Sequence, residues 1–254
     1  MAIPDVLLLL GVGLIGGLWN AVAGGATLFT FPALMIVGLP PMVANATNFL
    51  GLLPSNAAAL FAYKDELREI GRALLPMVIV SGAGAVIGSL LLVWSDAETF
   101  LVLVPFLILT AVLLFAFGER ARGALVHFAG AAQTYWAVAV LLFLASIYGG
   151  YFGAGLGIIL LAVAQLSGYS NFHRANAIKN LLATSFTAIS ISVFGLGGLI
   201  DWTAGLIMIF GSTLGGYLGG RLAKRVNQDL LRAAVTLFGL VLAATYFWTV
   251  FISS

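Results

Sequence analysis

The sequence contains no cysteine and only two histidines among its 254 residues. The lack of cysteine excludes disulfide bonds, thiol nucleophiles and sulfur-ligated metal sites. The two histidines, His127 and His173, lie far apart in the chain, so we expect no metal site and no cofactor. An enzyme would also need a nucleophile with a base, or paired carboxylates. Because the sequence offers neither set, we predict that the chain has no catalytic residues and is not an enzyme.

Charged residues are scarce as well. They make up 8% of the sequence, whereas soluble proteins average about 25%. The net charge is +2 and the longest basic run is Lys224-Arg225, so nucleic acid is not an expected partner. Hydrophobic residues make up 62% of the chain, which predicts a polytopic membrane protein in a lipid bilayer. The acidic residues fall in loops or at the ends of apolar segments, which gives no support for proton coupling through a buried carboxylate.

The apolar residues form long segments, which predict an all-α fold. The segments are Ile3–Val37, Asn45–Tyr63, Ala73–Trp94, Thr99–Phe117, Tyr135–Ala164, Ala175–Phe194, Thr203–Ala223 and Leu230–Phe251. A spanning helix needs about 20 residues, and a helix of about 35 residues would be about 50 Å long. The first and fifth segments are too long for one straight span, and each has glycines near its midpoint, Gly24-Gly25 and Gly153–Gly157. We predict that each is a helical hairpin, similar to a re-entrant loop, that enters the membrane and turns back at its glycines.

The second half of the sequence repeats the pattern of the first at an offset of 131 residues. The offset places Gly24 on Gly155 and aligns an Ala-Asn-Ala triplet in each half. Glycine-interrupted segments at matching places in two halves indicate a transporter binding site. We therefore predict two repeats, residues 1–123 with a connecting loop and residues 124–254. Each repeat is a glycine-broken hairpin followed by three transmembrane helices. Because the first apolar segment has a counterpart in the second half, we interpret it as part of the fold rather than as a signal peptide.

The distribution of Lys and Arg predicts the topology. If every apolar segment crosses once, these residues divide almost equally between the two sides of the membrane. If the two long segments return to the side of entry, all eleven fall on or near one face, which the positive-inside rule identifies as the cytoplasm. Each half then makes an odd number of crossings, so the repeats have inverted topology and both termini lie outside. We expect a cell (inner or plasma) membrane protein. The polar stretches Lys64–Arg72 and Gly118–Thr134 are predicted to be loops.

These motifs resemble those of the sulfite exporter TauE/SafE family of small-anion permeases. The motifs are Asn20–Pro32, Gly38–Pro41 and Ala44–Asn48 in the first half, and Gly149–Gly157 and Ala175–Asn180 in the second. The resemblance covers nearly the whole chain. It implies a secondary transporter that exports sulfite or short organosulfonates. We expect alternating access, with one repeat moving against the other; the alternative is a passive anion channel of the same fold.

The glycine-rich turns are the first candidates for an anion site. A helix that starts at such a turn presents unpaired N–H groups and about half a positive charge, and glycine lets the backbone approach a ligand closely. We expect Gly24, Gly25, Gly155 and Gly157 to contact the substrate, with Thr27 adding a hydroxyl. The alternative is that these glycines only permit tight helix packing.

Lys179 is the second candidate, because it lies inside the sixth apolar segment with no acid within four residues. Ionisable groups in membrane segments usually face a cavity or a partner, although a lysine can also extend its charge to the membrane surface. Asn48, its counterpart at the offset of 131, and Asn180 are expected either to donate hydrogen bonds to the anion or to bond neighbouring helices. Six other polar residues are expected to line the pathway, with interhelical hydrogen bonding as the alternative: Asn20, Ser55, Asn56, Gln165, Thr184 and Ser185.

The remaining glycine pairs are typical of close helix packing. Gly84 and Gly88 form a small-xxx-small face in the third segment, and Gly211, Gly215 and Gly219 form one in the seventh. The face in the seventh segment leaves two alternatives open, packing within the protomer or packing between the protomers of a homo-oligomer.

Overall fold

The computed structural model describes residues 1–22, 25–129, 135–169, 171–222 and 228–251. Within these ranges the chain is helical and contains no strand, which confirms the predicted all-α fold. In chain order the helices are α1 (Ile3–Val22), α2 (Thr27–Ile36), α3 (Pro41–Ala62), α4 (Lys64–Ile70), α5 (Leu75–Trp94), α6 (Ala97–Ala129), α7 (Tyr135–Tyr151), α8 (Leu156–Leu166), α9 (Phe172–Leu196), α10 (Trp202–Leu222) and α11 (Gln228–Phe251). Four described stretches are long and apolar enough to cross a membrane: Ile3–Asn20, Lys64–Trp94, Ala97–Leu114 and His173–Leu196.

Both long apolar segments are broken, as predicted. The first divides into α1 of 20 residues and α2 of 10 residues, and the second into α7 of 17 residues and α8 of 11 residues. At 1.5 Å per residue, α1 is about 30 Å long and α2 about 15 Å, so one arm is long enough to span the bilayer core and the other covers half of it. The short arm packs against the end of the long one. The ring centroids of Trp19 in α1 and Phe29 in α2 lie 5.8 Å apart.

Two predicted loops are helical. The stretch Lys64–Arg72 contains α4 and the start of a 3-10 turn, Gly71–Leu74, and α6 continues to Ala129, through most of the stretch predicted as the connecting loop. Lys, Leu, Glu and Arg make up most of the first stretch and Ala is frequent in the second, and all of these residues have high helix propensity. The prediction was therefore wrong at these boundaries, because polarity ends a membrane span without ending a helix.

The long arm of the first hairpin packs closely on a helix of the second half, α10. A Cβ added to Gly215 would overlap the carbonyl oxygen of Leu14, and one added to Gly17 would overlap the carbonyl oxygen of Ser212. The two backbones are thus in contact, as small residues allow in membrane helix pairs. Since the Gly211/Gly215 face packs on α1, the structure selects packing within the protomer from the two alternatives. The surroundings of Gly219 lie outside the described residues.

The second hairpin has the matching contact with the first half, through α7 and α5. A Cβ on Gly88 would overlap the carbonyl oxygen of Ile147, and a Cβ on Gly84 would lie 2.6 Å from that of Phe143. The hydroxyl of Ser146 also donates to the hydroxyl of Ser81 over 3.0 Å. The predicted packing roles of Gly84 and Gly88 are therefore confirmed.

These contacts interlock the two halves into two mixed bundles. The first bundle contains α1, α2 and α3 with α10 from the second half, and the second bundle contains α7, α8 and α9 with α5 from the first half. The bundles meet where α3 packs on α9, and α6 packs both on α11 and on α8. Each hairpin is thus held mainly by a glycine-lined helix that belongs to the other half of the sequence.

Candidate functional site

A cavity of ≈ 680 Å³, including its open mouth, lies between the two bundles. Both glycine turns, α3 and α9 form its walls. Its lining includes every predicted site residue that the structure describes: Asn20, Gly25, Thr27, Asn48, Gly155, Gly157, Lys179 and Asn180. Gly24, the remaining predicted residue, lies outside the described residues. Residues that are up to 160 positions apart in the sequence therefore meet around one space.

The second glycine turn is held by the end of α7. The backbone N–H groups of Phe152 and Gly153 both donate to the carbonyl oxygen of Tyr148, over 3.0 and 3.2 Å. The Tyr148 hydroxyl then donates to the carbonyl oxygen of Ala154 over 2.7 Å. Gly155 has a φ of 73°, in the left-handed region that favours glycine, and it caps α8. The turn therefore places the N-terminus of α8 at the cavity.

The first glycine turn is held by a side chain from α3. The amide Nδ2 of Asn48 donates to the hydroxyl of Thr27 over 3.1 Å, and the Thr30 hydroxyl contacts both Asn48 Oδ1 and the carbonyl oxygen of Ala26. Gly25 has a φ of 79° and precedes the start of α2. Asn48 thus fastens the first turn of α2, and one N–H of its amide remains for the cavity, because an amide carries two.

Lys179 extends from α9 into the cavity. Its Cδ lies 3.7 Å from the position of a Cβ on Gly157, so the side chain passes over the first turn of α8. Among the described residues the recorded ion pair is Glu69 with Arg174, at an exposed position, and no carboxylate lines the cavity. Lys179 therefore contributes a positive charge that no described acid neutralises, beside a helix N-terminus of the same sign. This arrangement favours the anion-ligand interpretation of Lys179 over extension to the membrane surface.

The amides near the cavity have different roles. Asn45 donates to the carbonyl oxygen of Tyr151 over 2.9 Å. A side chain from the first half of the sequence thus satisfies the last carbonyl of α7, which belongs to the second half. Asn180 lines the cavity, and its main-chain carbonyl accepts from the hydroxyl of Thr184. The side chain of Asn171, which the sequence analysis did not single out, caps α9 by accepting from the N–H groups of His173 and Arg174.

Sequence reasoning missed the apolar wall of the site. This wall includes Phe49, Leu52, Phe152, Leu160 and Phe186. The ring of Phe49 packs edge-on against that of Phe186, with centroids 6.4 Å apart. An apolar surface beside a single cation suits a ligand that has a charged head and an apolar part.

A helical signal in the sequence would have found more of the lining. Asn48, Leu52 and Asn56 line the cavity from α3 at i, i+4 and i+8, and the residues at the offset of 131, Lys179, Ala183 and Thr187, line it from α9. Positions four apart share a helix face. The sequence predicted Asn56 as a pathway residue, and extending this spacing from Lys179 would also have identified Thr187.

Comparisons with known proteins place the chain in a protein family. The model of the family described as "Sulfite exporter TauE/SafE" matches residues 9–246. The chain is 32% identical over 253 residues to a "Probable membrane transporter protein" of Haemophilus influenzae, covering 96% of this chain and 95% of that protein. It is 29% identical over 247 residues to "Probable membrane transporter protein YfcA" of Escherichia coli K12, covering 93% and 89%. No solved structure matches the chain.

Proposed function

The chain belongs to the sulfite exporter TauE/SafE family, and from this premise we propose that it is a secondary transporter that exports a small anion through the cavity between its two bundles. The observation that carries the proposal is the meeting of Lys179 with two helix N-termini in a space that no described carboxylate lines. Each helix start adds about half a positive charge and free N–H donors. An anion is the ligand that such a site stabilises.

The charge of the site favours a singly charged head group. Lys179 is the one cation among the described residues that line the cavity. A sulfonate carries one negative charge on three oxygens, and its organic part matches the wall formed by Phe49, Phe152 and Phe186. Sulfite in its singly protonated form offers the same charge on three oxygens without the organic part. We therefore propose sulfite or a short organosulfonate as the substrate, bound by Lys179, Asn180 and the N–H groups at Gly25–Thr27 and Gly155–Gly157, with Asn48 beside them.

Alternating access between these bundles is the proposed mechanism. The expectation from the sequence was that one repeat moves against the other. However, α1 is in backbone contact with α10, and α7 with α5, so separating the repeats would break both glycine-lined interfaces. We propose that the moving units are the two mixed bundles, which meet at the cavity and at the contact of α3 with α9.

The inverted topology remains part of the proposal. All eleven Lys and Arg residues fall on one face if each hairpin returns to its side of entry, and the positive-inside rule places this face in the cytoplasm. Both termini would then be outside. A C-terminal alkaline phosphatase fusion should be active, and a C-terminal fluorescent protein that folds only in the cytoplasm should be dark; the reverse pair would refute this topology.

Transport into proteoliposomes tests the function. Uptake of labelled sulfite and sulfoacetate, with sulfate for comparison, should saturate with concentration for sulfite or the sulfonate in the wild-type protein. Lys179→Ala should abolish this uptake, whereas Lys64→Ala, which changes an exposed lysine at the start of α4, should not.

The same assay separates the rival functions. Flux that rises linearly with concentration and gives single-channel currents would identify a passive anion channel. Saturable flux that survives Lys179→Ala would remove Lys179 from the site. Absence of flux for all three anions would refute the proposed substrate class.

A further inference from the structure

A directional chain of hydrogen bonds joins α1 to α3 at one wall of the cavity. The hydroxyl of Ser55 donates to the carbonyl oxygen of Leu52 over 2.7 Å. The amide Nδ2 of Asn20 lies 2.9 Å from Ser55 Oγ and 2.8 Å from Asn56 Oδ1. Asn20 and Asn56 both line the cavity, whereas Ser55 is buried behind them.

Ser55 fixes the direction of this chain. A hydroxyl has one proton, and that of Ser55 is used on the Leu52 carbonyl, which cannot donate in return. Ser55 Oγ must therefore accept a hydrogen bond from Asn20, so the group that Asn20 presents is its NH₂ and not its carbonyl oxygen. The second N–H of Asn20 then reaches the carbonyl oxygen of Asn56. Both N–H groups of Asn20 are consequently engaged by α3.

Asn56 is left with its donors free. Its carbonyl oxygen is occupied by Asn20, so its NH₂ group must point away from Asn20. Within the described part of the chain, no acceptor lies within hydrogen-bond distance of this NH₂ group, although Asn56 is only partly exposed at the cavity wall. A partly buried amide whose carbonyl oxygen faces a neighbour presents its N–H groups to the opposite side, here the cavity.

We propose that Asn56 is a further substrate ligand, which donates N–H groups to an oxygen of the transported anion, and that Asn20 is a positioning residue that acts through Asn56. This inference rests on the proposed function and deepens it. Asn20 lines the cavity, and its two bonds to α3 are the interhelical hydrogen bonds that were the alternative expectation for it. Because Asn56 presents N–H groups to the cavity, it bonds an anionic oxygen more strongly than a hydroxyl at this position.

The counterpart of Asn56 in the second half has different chemistry. Thr187 stands at the offset of 131 and also lines the cavity, where it is 4% exposed. A threonine hydroxyl both donates and accepts, so it accommodates either an oxyanion or a hydroxyl. The selective position is therefore the one in α3.

Binding of methanesulfonate and sulfite to the purified full-length protein in detergent, measured by calorimetry, tests this inference. Asn56→Ala should weaken binding of the ligand that binds wild type by about ten-fold or more, the effect of losing a hydrogen bond to a charged group. Asn56→Asp keeps the acceptor that Asn20 needs, so it should fold like wild type, and it should bind even more weakly because it places an oxygen anion at the site. Asn171→Ala, which removes an amide at an exposed helix cap, is the control and should bind like wild type.

A double-mutant cycle tests the positioning role of Asn20. Asn20→Ala should weaken binding in the wild-type background but cause no further loss in the Asn56→Ala background, because it acts through Asn56. Additive losses would show that Asn20 binds the anion itself and would overturn its assignment. If Asn56→Ala binds the anion as tightly as wild type, the assignment of Asn56 is overturned but the proposed function is not. If wild type binds neither anion, both the assignment and the proposed function are overturned.

Discussion

The two glycine turns each precede a short helix that starts at the cavity, but they are held by different means. In the first, Asn48 reaches from α3 to Thr27 and fastens the start of α2. At the corresponding position of α9 stands Lys179, which extends over Gly157 into the cavity, and the second turn is fastened instead by Tyr148 from its own hairpin. The same position of the repeat thus holds a glycine turn by hydrogen bonds in one half (Asn48) and supplies the positive charge in the other (Lys179). We call a side chain that holds a turn in this way a clasp.

This difference explains how a nearly symmetric scaffold makes an asymmetric site. A lysine at both positions would place two like charges around one small cavity, at a cost in stability and with a preference for doubly charged anions. An asparagine at both would leave the site without a cation, so that only helix N-termini and neutral side chains would bind the anion. Tyr148 holds the second turn by its own hydrogen bond. The residue at position 179 therefore does not need to hold that turn and can carry a charge.

The largest expected effect comes from separating either hairpin from its glycine-lined partner helix. Gly215→Leu in α10 and Gly88→Leu in α5 force a side chain into a backbone contact, and overpacking typically costs about 1–3 kcal/mol and occasionally more. We expect both variants to lose the sharp size-exclusion peak of the folded protein in detergent. Gly11→Leu, at a position with open space around it, is the matched control and should keep the peak; equal behaviour of all three would refute the close packing.

The next effect tests which half supplies the charge. Lys179→Asn gives both halves the same residue, and kcat/KM for the transported anion should fall by about ten-fold to a hundred-fold, as a hydrogen bond to a charged group is lost. Adding Asn48→Lys to this variant should not restore transport, because a lysine cannot accept from Thr30 as Asn48 does. Restored transport in the double variant would show that the two positions are interchangeable.

A smaller loss of stability is expected when the hydrogen bonds that hold either glycine turn are removed. Tyr148→Phe removes the donor to the buried carbonyl of Ala154, and Thr30→Val removes the hydroxyl that contacts Asn48. Each loss should destabilise the protein by about 1–3 kcal/mol, which thermal unfolding in detergent measures. Thr245→Val, which removes a hydroxyl from an exposed position of α11, should leave the unfolding temperature unchanged. If one clasp variant behaves like this control, that turn does not depend on its clasp.

The smallest expected effect comes from joining the two repeats within one bundle. The hydroxyls of Ser81 and Ser146 lie 3.0 Å apart, and the chain has no other cysteine to interfere. A disulfide in Ser81→Cys/Ser146→Cys should therefore leave transport unchanged, because both residues belong to the second bundle. Loss of transport on oxidation, with recovery on reduction, would show that the repeats themselves move against each other.

Much of the candidate site was predictable because its signals are local. Gly25 and Gly155 interrupt apolar runs, and Lys179 is a charge where hydrophobicity is expected, so each is conspicuous within a few residues of sequence. The sequence predicted Asn56 as a pathway residue, but the hydrogen-bonding roles of Asn56 and Tyr148 were not predictable in the same way. Each role depends on a partner in another element or across a turn, Asn20 for Asn56 and Ala154 for Tyr148, and a hydrogen-bond donor carries no mark of its acceptor in the sequence.

The sequence by itself determined that this protein is helical, lies in a membrane, breaks two helices at glycines and repeats its pattern once. These properties follow from hydrophobicity and from the conformational freedom of glycine, which belong to each residue. Only the tertiary structure decided that each hairpin packs on the other half, that Asn48 became a clasp, and that Lys179 faces the cavity. Glycine stripes such as that of Gly211 and Gly215 allow close approach by any helix, so the choice of partner depends on how all the helices fit together in space.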